Sequence, residues 1–224
     1  MTVERDTDRD WRELGASEPY WGVLSVPEFK GELSIDRLDA FFATGLAIID
    51  HAARSLARFD GRPFRARAAL DFGCGVGRLT EAMRTYADAV TGYDVSPGML
   101  EEGRRRGAAG VCYVSDLPDG PFDWINSFLV FQHIPTERGY RLFGQLLDRL
   151  SPGGSVSLQF TTFRSAEHRL PVSPDLPIGT MTMYDYDLSE LCRMLHEWGL
   201  TRLSLEPQCY GGHYGARIFA KRDA

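Results

Sequence analysis

The sequence predicts an α/β domain built on a mostly parallel sheet, and two features of the chain support this. From Ala66 onward, strand-like and helix-like patterns alternate, and such alternation produces right-handed crossovers and a parallel sheet. The stretch Leu70 to Thr80, LDFGCGVGRLT, leads from a short apolar strand through three glycines into a helix. Glycines let a ligand approach the main chain, and open parallel sheets bind ligands at the carboxyl ends of their strands. This turn is therefore a predicted ligand site.

The remaining elements are predicted from hydrophobic periodicity and from the residues that end helices. The link between two successive strands, 111–114 and 123–127, is too short to hold a crossover helix. The SPGG stretch, Ser151–Gly154, predicts a turn that stops the helix before it. The other predicted elements are strand 68–72, helix 77–87, strand 89–93, helix 97–107, helix 136–150, strand 155–161, helix 188–198 and an antiparallel pair, 200–206 and 214–222, joined by 207–213.

The first 60 residues are predicted to form a lid and a helix that packs on the core, 61–224, within a single domain overall. Residues 1–33 combine a short polar helix with an aromatic, proline-rich stretch, and residues 36–59 carry an apolar stripe of helical period. A lid over the ligand crevice is one interpretation. The alternative is that Tyr20 and Trp21 only fasten the helix to the core. The proline-rich segment 162–187 is a second predicted lid, with substrate contacts.

Composition narrows the classes of partner. The chain has 224 residues, 43% of them hydrophobic, and a formal charge of -6, with its arginines dispersed in short clusters. Nucleic acid is a poor candidate, because phosphate binding needs a concentrated basic face. The polar N-terminus lacks the apolar core of a signal peptide, and no run reaches membrane-spanning length, so a cytoplasmic protein without membrane contact is expected. The oligomeric state stays open.

The cysteines predict reduced thiols and no metal site. They form no CxxC pair and have no histidine partner at the spacing of metal ligands. The four are Cys74, Cys112, Cys192 and Cys209.

The spacing of the glycine turn narrows the ligand. It is GxGxG, whereas the dinucleotide fingerprint is GxGxxG, in which the third glycine serves helix packing beneath a pyrophosphate. The difference argues against a phosphate-bearing cofactor. The next predicted strand ends at Asp94, and a carboxylate in that place can accept both hydroxyls of a ribose.

The acidic glycine turn, Asp94 within YDVSPGML, Asp116 and the later LSPGG together closely resemble the class I S-adenosylmethionine-dependent methyltransferases. The resemblance extends from Arg67 to about Gln159. It implies a Rossmann-like sheet of seven strands in the order 3-2-1-4-5-7-6, with helices on both faces and an antiparallel seventh strand. It also implies S-adenosylmethionine as the cofactor.

The resemblance assigns roles to individual residues. Asp71 and the glycine turn would hold the methionine portion of the cofactor, with the Asp71 carboxylate facing its ammonium group. Asp94 would bind the ribose, and the residues that follow the second and third strands would flank the adenine. The predicted cofactor-binding residues are Asp71, Gly73, Cys74, Gly75, Gly77, Asp94, Val95, Met99, Asp116, Leu117 and Phe128.

His133, after the fourth strand in NSFLVFQHIP, is the predicted catalytic residue. An unperturbed histidine titrates near neutrality, so it could take a proton from an attacking hydroxyl or amine, or position the acceptor. The alternative is that His133 only packs or hydrogen-bonds the cofactor. The predicted substrate-binding residues are Tyr20, Trp21, Gln132, Tyr184 and His213.

The functional hypothesis is methyl transfer to an oxygen or nitrogen of a small-molecule metabolite, such as a natural-product or sugar-like intermediate. One alternative is an NAD(P)-dependent oxidoreductase, which the GxGxG spacing disfavours. The chain also lacks a Tyr-xxx-Lys pair, since its only lysines are Lys30 and Lys221. Another alternative is a non-catalytic S-adenosylmethionine-binding protein of the same fold.

Overall fold

The protein contains one seven-stranded sheet that is flanked by helices. A computed structural model describes residues 5–169 and 172–223. The strand order is β3-β2-β1-β4-β5-β7-β6. β1 to β5 pair in parallel, and β7 is antiparallel to both β5 and β6. The predicted order and the antiparallel seventh strand are confirmed. The strands are β1 Ala66–Phe72, β2 Ala87–Tyr93, β3 Val111–Val114, β4 Phe122–Ser127, β5 Leu150–Arg164, β6 Arg202–Tyr210 and β7 His213–Lys221.

Seven α-helices and three 3₁₀ turns connect and cover the strands in the described part of the chain. None of these helices combines the length and the apolar character that crossing a membrane requires. The 3₁₀ turns are Pro27–Phe29, Phe131–His133 and Ala166–His168. The helices are α1 Thr7–Ser17, α2 Pro19–Val23, α3 Ile35–Asp60, α4 Arg78–Met83, α5 Pro97–Arg106, α6 Thr136–Asp148 and α7 Leu188–Glu197.

Both faces of the sheet are buried. Consecutive strand residues point to opposite faces, so Leu70 packs in the layer with α6 and α7, whereas its neighbour Ala69 packs in the layer with α3 and α4. The same alternation places Ile125 in the first layer and Trp124 in the second. Strands covered on both sides are rich in apolar residues, which explains the apolar stretch Ala68 to Leu70 in the middle of β1.

Several boundaries differ from the sequence prediction. The helix predicted over 77–87 spans only Arg78–Met83, and β2 begins at Ala87, inside that range. β5 runs from Leu150 to Arg164, past both ends of the predicted strand 155–161.

The hairpin between β6 and β7 turns at Gly211 and Gly212, both with positive φ, so the connection is much shorter than 207–213. Pro207 lies inside β6, which is tolerated because β6 is an edge strand and needs no donor on its open side. The SPGG stretch is not a separate turn. It forms the irregular start of β5, where the register against β4 shifts.

The N-terminal helices lie against the end of the sheet that carries the glycine turn. α1 packs on α5 so closely that a Cβ atom on Gly15 would lie 1.9 Å from the Ser96 hydroxyl. The guanidinium of Arg5 is paired with Asp10 at 2.7 Å, and both side chains are only 5% exposed. Arg5 also donates to three main-chain carbonyls of the segment 173–177, so it ties this segment to the start of α1. Residues 1–4 and 170–171 of the two predicted lids lie outside the described residues.

We expect Asp10→Ala to lower the free energy of unfolding by about 3–5 kcal/mol, because it leaves the buried Arg5 guanidinium without its anion. Chemical denaturation measures this loss. Glu13→Ala, on the exposed side of the same helix, is the matched control and should change stability by less than about 0.5 kcal/mol. A loss for Asp10→Ala no larger than that of the control would contradict the role of this ion pair.

Candidate functional site

A cavity of about 290 Å³ opens at the carboxyl ends of β1, β2 and β4, beside the glycine turn. The N-terminal segment closes one side of it through Thr7, Asp8, Trp11 and residues 22–25, so this part of the predicted lid does face the crevice. The predicted cofactor-binding residues that line the cavity are Asp71, Gly73, Cys74, Gly75, Asp94, Val95, Met99 and Phe128.

The glycine turn needs glycines for conformational reasons. Gly73, Gly75 and Gly77 all have positive φ, between 55° and 89°, which other residues adopt only with strain. The turn is fastened to the end of β2, because the main-chain N–H groups of Gly73 and Cys74 both donate to the carbonyl of Tyr93, at 2.8 and 2.9 Å. The turn therefore has a fixed shape at the floor of the cavity.

Cys74 belongs to the same turn and lines the cavity, while its side chain packs with Leu100 and Tyr113. Burial raises its pKa well above the usual value, helped by the nearby Asp94 and Asp71 carboxylates. It is therefore a neutral packing group in the described structure and lacks the thiolate character of a nucleophile.

Asp94 connects the turn to the start of α5. One carboxylate oxygen accepts from the N–H of Gly75 and the other from the N–H of Ser96, both at 2.9 Å. Burial raises the pKa of Asp94 to about 6, against the lowering effect of those two hydrogen bonds. Each oxygen keeps a lone pair for a further donor.

Asp71 lies deeper, at the centre of a buried chain of hydrogen bonds. Its carboxylate is 2% exposed and accepts from the Thr80 hydroxyl at 2.7 Å and the Asn126 amide at 2.8 Å. The Asn126 oxygen accepts from Ser157, whose hydroxyl accepts from the Trp124 indole. The pKa of Asp71 is raised because burial outweighs the two hydrogen bonds. Because each of these hydrogen bonds has a defined donor and acceptor, the Asn126 side chain can adopt only one orientation, with its nitrogen toward Asp71 and its oxygen toward Ser157.

Arg78 is a lining residue whose place the sequence did not predict. Its position directly after the glycine run suggests a cap or a solvated place on α4, but its side chain is 3% exposed and the residue lines the cavity. One guanidinium nitrogen donates to Thr44 at 3.0 Å, while Nε is buried and has no hydrogen-bond partner among the described residues. Burial lowers the pKa of Arg78 to about 10, although the Asp71 carboxylate opposes this. Arg78 stays a cation at neutral pH.

His133 also lines the cavity, and its hydrogen bonds define its tautomer. Nδ1 lies 2.9 Å from the Thr182 carbonyl, which can only accept, so Nδ1 carries the proton. Nε2 then accepts from the Gln132 amide at 3.1 Å, and the Gln132 oxygen accepts from the Thr161 hydroxyl. The Trp11 ring packs edge-on against the imidazole, with centroids 4.9 Å apart.

This environment corrects the expectation that His133 titrates near neutrality. Burial lowers its pKa to about 4, and the positive charge of Arg164 acts in the same direction. His133 is therefore neutral at pH 7, and its Nε2 lone pair is a hydrogen-bond acceptor with weak basicity. The burial comes from Trp11 and the segment that contains Thr182, which are distant in sequence.

A second cavity, of about 490 Å³, adjoins the first. Phe128, Leu129 and Gln132 line both, so the two share one wall. The predicted substrate residue His213 lines the second cavity, and Gln132 stands between the two.

Six predicted site residues line neither cavity. Tyr20 donates to Glu102 and packs on Phe41, which agrees with the fastening alternative for this segment. A Cβ on Gly77 would lie 2.0 Å from the Tyr113 hydroxyl, so the absence of a side chain there serves packing. Their binding roles remain predictions. The six are Tyr20, Trp21, Gly77, Asp116, Leu117 and Tyr184.

Comparisons with known proteins agree with this architecture. Residues 69–154 match the family model described as a methyltransferase domain. Among curated relatives, trans-aconitate 2-methyltransferase of Rhizobium leguminosarum bv. trifolii is 39% identical over 102 residues, which are 42% of this chain and 39% of that protein. Ribosomal protein L11 methyltransferase of Chromohalobacter salexigens is 30% identical over 70% of this chain and 56% of its own length. The chain spans only about two fifths of the length of the trans-aconitate relative.

Among solved structures, the magnesium protoporphyrin IX methyltransferase of Synechocystis PCC 6803 superposes with a TM-score of 0.68 at 17% identity, and the alignment covers all of both chains. The N-methyltransferase NodS of Bradyrhizobium japonicum gives a TM-score of 0.62 at 15% identity over 96% of this chain and 98% of that one. At such identities the likeness concerns the fold. The matched segment, the sheet order and the superposed structures therefore agree on a methyltransferase-like fold for this chain.

We expect Asn126→Ala to destabilise the protein by about 2–3 kcal/mol, because it leaves the buried Asp71 carboxylate and Ser157 hydroxyl with one partner fewer. Thermal or urea unfolding measures the change. Thr201→Ala removes an exposed hydroxyl that donates to Asp223 and is the control, with a loss under about 1 kcal/mol. An Asn126→Ala protein as stable as the control variant would refute the importance of the buried chain.

We expect the His133 imidazole to remain neutral, with its proton on Nδ1, throughout pH 5–8, because its pKa is about 4. Nitrogen chemical shifts of the histidine rings report both the charge and the tautomer, and His133→Gln identifies the signals that belong to this residue. A His133 signal with a midpoint near 6.5 would show that the ring is not desolvated in this way.

Proposed function

We propose that the protein transfers the methyl group of S-adenosylmethionine to an oxygen or nitrogen of a small-molecule metabolite. The observation that carries the proposal is the first cavity, in which the Asp94 carboxylate, the glycine turn and the buried Asp71 meet at the carboxyl ends of β1 and β2. The family match adds support, because it spans these elements.

The residues of the cavity fit the parts of S-adenosylmethionine. The amino-acid end carries an ammonium and a carboxylate, for which the cavity offers the Asp71 carboxylate and the unpartnered Nε of Arg78. The Asp94 oxygens suit two ribose hydroxyls, and Val95 and Met99 offer an apolar surface for the adenine. Cys74, Phe128 and the glycine main chain complete the proposed wall.

S-adenosylmethionine supplies a methyl group on a sulfonium, which is already an activated leaving group. The protein then mainly has to align the acceptor and exclude water. We assign this to the wall shared by the two cavities. Beside that wall, in the first cavity, the neutral His133 would hold the acceptor by its Nε2 lone pair, with the Gln132 amide moving aside or donating to the same group. A pKa of about 4 makes His133 a positioning group more readily than a proton acceptor.

Fewer features of the molecule define the chemical class of the methyl acceptor than define the methyl donor. The relatives are named for trans-aconitate and for a ribosomal protein, and one structural neighbour is named for magnesium protoporphyrin IX. A second cavity of about 490 Å³ that adjoins the proposed donor site favours a small molecule over a protein surface. Acceptor contacts by Tyr20, Trp21 and Tyr184, a lid within residues 1–60 on a core of 61–224, a cytoplasmic location and the lack of a nucleic-acid partner remain predictions from the sequence.

The oxidoreductase alternative receives no support, because the antiparallel β7 and the family match both belong to methyltransferases. A non-catalytic protein of this fold differs from an enzyme in turnover alone. A screen of small acceptors with isotope-labelled S-adenosylmethionine, including trans-aconitate and neutral and anionic metabolites, separates the two. Binding of the donor without labelling of any acceptor would favour the non-catalytic protein.

We expect Asp94→Ala to weaken the binding of S-adenosylmethionine by roughly 10–100-fold, because it removes the charged acceptor of both ribose hydroxyls. Calorimetry measures the affinity. Asp88→Ala, an exposed carboxylate on β2, is the control and should bind normally. If the wild type does not bind the donor, or binds it as well without Asp94, the proposed donor site is wrong.

The same carboxylate predicts a pH dependence. Because its pKa in the free protein is about 6, Asp94 is protonated below that value and must lose a proton to accept both hydroxyls. Affinity for S-adenosylhomocysteine should therefore fall from pH 7 to pH 5, by up to about tenfold per unit below the pKa. In Asp94→Ala, the affinity for S-adenosylhomocysteine should lose the part of its pH dependence that Asp94 causes. If the affinity of the wild type and of the variant depends on pH equally steeply, this assignment is wrong.

A further inference from the structure

The second cavity contains a buried cation that no carboxylate neutralises directly. Arg217, in the middle of β7, is 7% exposed and lines the cavity. Among the described residues its side chain makes a single hydrogen bond, a long one of 3.4 Å to the carbonyl of Ile48. Its other contacts are the rings of Phe128 and Phe219, each with its centroid 5.1 Å from the guanidinium carbon. The five N–H donors of the planar Arg217 guanidinium therefore make almost no hydrogen bonds within the protein.

The nearest carboxylate is already engaged. Glu206 lies opposite Arg217 in the β6–β7 register, but its oxygens accept from His51 at 2.5 Å and from Ser55 at 3.2 Å. Its charge favours the protonated Arg217 only at a distance, and burial nonetheless lowers the Arg217 pKa from its usual value. A buried guanidinium is normally paired with an anionic group. Because Arg217 has no such partner in the described structure, its environment favours the binding of an anionic ligand.

Two further polar atoms of the same cavity lack partners. Gln208 Oε1 and His213 Nδ1 are buried and make no hydrogen bond within the described structure. Both residues line the second cavity together with Arg217. The remaining wall includes the apolar or aromatic residues Phe128, Leu129, Met183, Tyr210 and Tyr214, of which the two tyrosines are exposed. Polar groups that converge in a largely apolar concavity are typical of a small-molecule site.

The wall between the cavities carries backbone strain. Leu129 has φ of 62°, the left-handed region that a branched residue rarely adopts, and its N–H donates to the buried Gln159 side chain at 3.0 Å. Strain that the surrounding structure maintains is concentrated at ligand sites. The strained residue faces both cavities, so it lies where a methyl donor and its acceptor would meet.

We infer that the second cavity is the acceptor subsite and that it selects a small, flat, unsaturated molecule bearing a carboxylate, which forms a two-pronged pair with Arg217. This inference rests on the proposed methyl transfer, since it places the acceptor beside the donor site. The aromatic wall packs against the flat body, and Gln208 Oε1 accepts from a hydroxyl or amine on it. Arg217 is a specificity-determining residue here, because it binds the anion without touching the transferred methyl group.

The test uses the full chain saturated with S-adenosylhomocysteine, so that the donor site is filled. The probes are benzoate, cinnamate and 4-hydroxybenzoate, each compared with its own neutral amide by ligand-observed nuclear magnetic resonance. We expect the acids to bind at least about tenfold more tightly than their amides, as loss of a charge-assisted pair implies. If no acid binds better than its amide, the inference is overturned without any variant being made.

Variants then locate the selectivity. Arg217→Gln should abolish the preference for acids, and Arg217→Lys should keep part of it, because the charge remains while the fork is lost. Arg202→Gln removes an exposed arginine of the same hairpin and should leave the preference intact. Acid preference that survives in a folded Arg217→Gln protein would also overturn the inference.

The affinity of each variant for S-adenosylhomocysteine separates this inference from the proposed function. Arg217→Gln should bind that molecule within about twofold of the wild type, because Arg217 lies outside the first cavity. If the wild type binds S-adenosylhomocysteine normally but does not prefer the acids to their amides, only the inferred class of acceptor is refuted. Failure of the wild type to bind the donor would refute the proposed function itself.

Discussion

The hydrogen bonds between the end of β2 and the glycine turn are the constraint on which the whole site depends. The Tyr93 carbonyl and the Asp94 carboxylate together accept from three successive main-chain N–H groups, those of residues 73–75. These bonds require the register that pairs Phe72 with Tyr93. A slip of one residue would turn Asp94 to the other face of the sheet, so strand pairing and ligand binding are determined together.

The cost of this arrangement is the concentration of desolvated charge at one end of the sheet. Asp71 and Asp94 are both buried, and their pKa values are raised. Asp71 is stabilised by its chain of hydrogen bonds through Asn126, which is internal to the fold. Arg78 is different, because its Nε has no internal partner in the described structure. The hydrogen-bonding capacity that the fold leaves unused, on the Arg78 Nε and on the remaining lone pairs of the two carboxylates, is what a ligand can complete.

Features that depend on neighbours in sequence could be predicted. The glycine turn, the strand that ends at Asp94 and the alternation of elements are local patterns, and the family resemblance added the strand order. The errors concern contacts between distant segments. The pKa of His133 depends on burial by Trp11 and the segment around Thr182, which no local pattern reveals. The burial of Arg78 likewise involves Thr44 on α3, which is distant in sequence.

Arg217 gave a signal that sequence analysis could have used. It interrupts the apolar alternation of β7, between Ala216 and Ile218, at a position whose strand neighbour on the same face, Phe219, is fully buried. A charged residue in such a position is either an error of register or a buried charge with a purpose. The structure shows that Arg217 is a buried charge, because β7 is an interior strand between β5 and β6.

The two cavities also differ in how the chain builds them. The floor of the first comes from one continuous stretch, and the family match, residues 69–154, spans it. The second draws on α3, the segment around Met183 and the β6–β7 hairpin, which lie outside that match. Replacing these outer segments changes the second cavity without disturbing the strand pairing that holds the glycine turn. The choice of acceptor by Arg217, as inferred above, would then be made outside the segment that matches the methyltransferase domain and far along the chain from the glycine turn, so it could change without altering the proposed donor site.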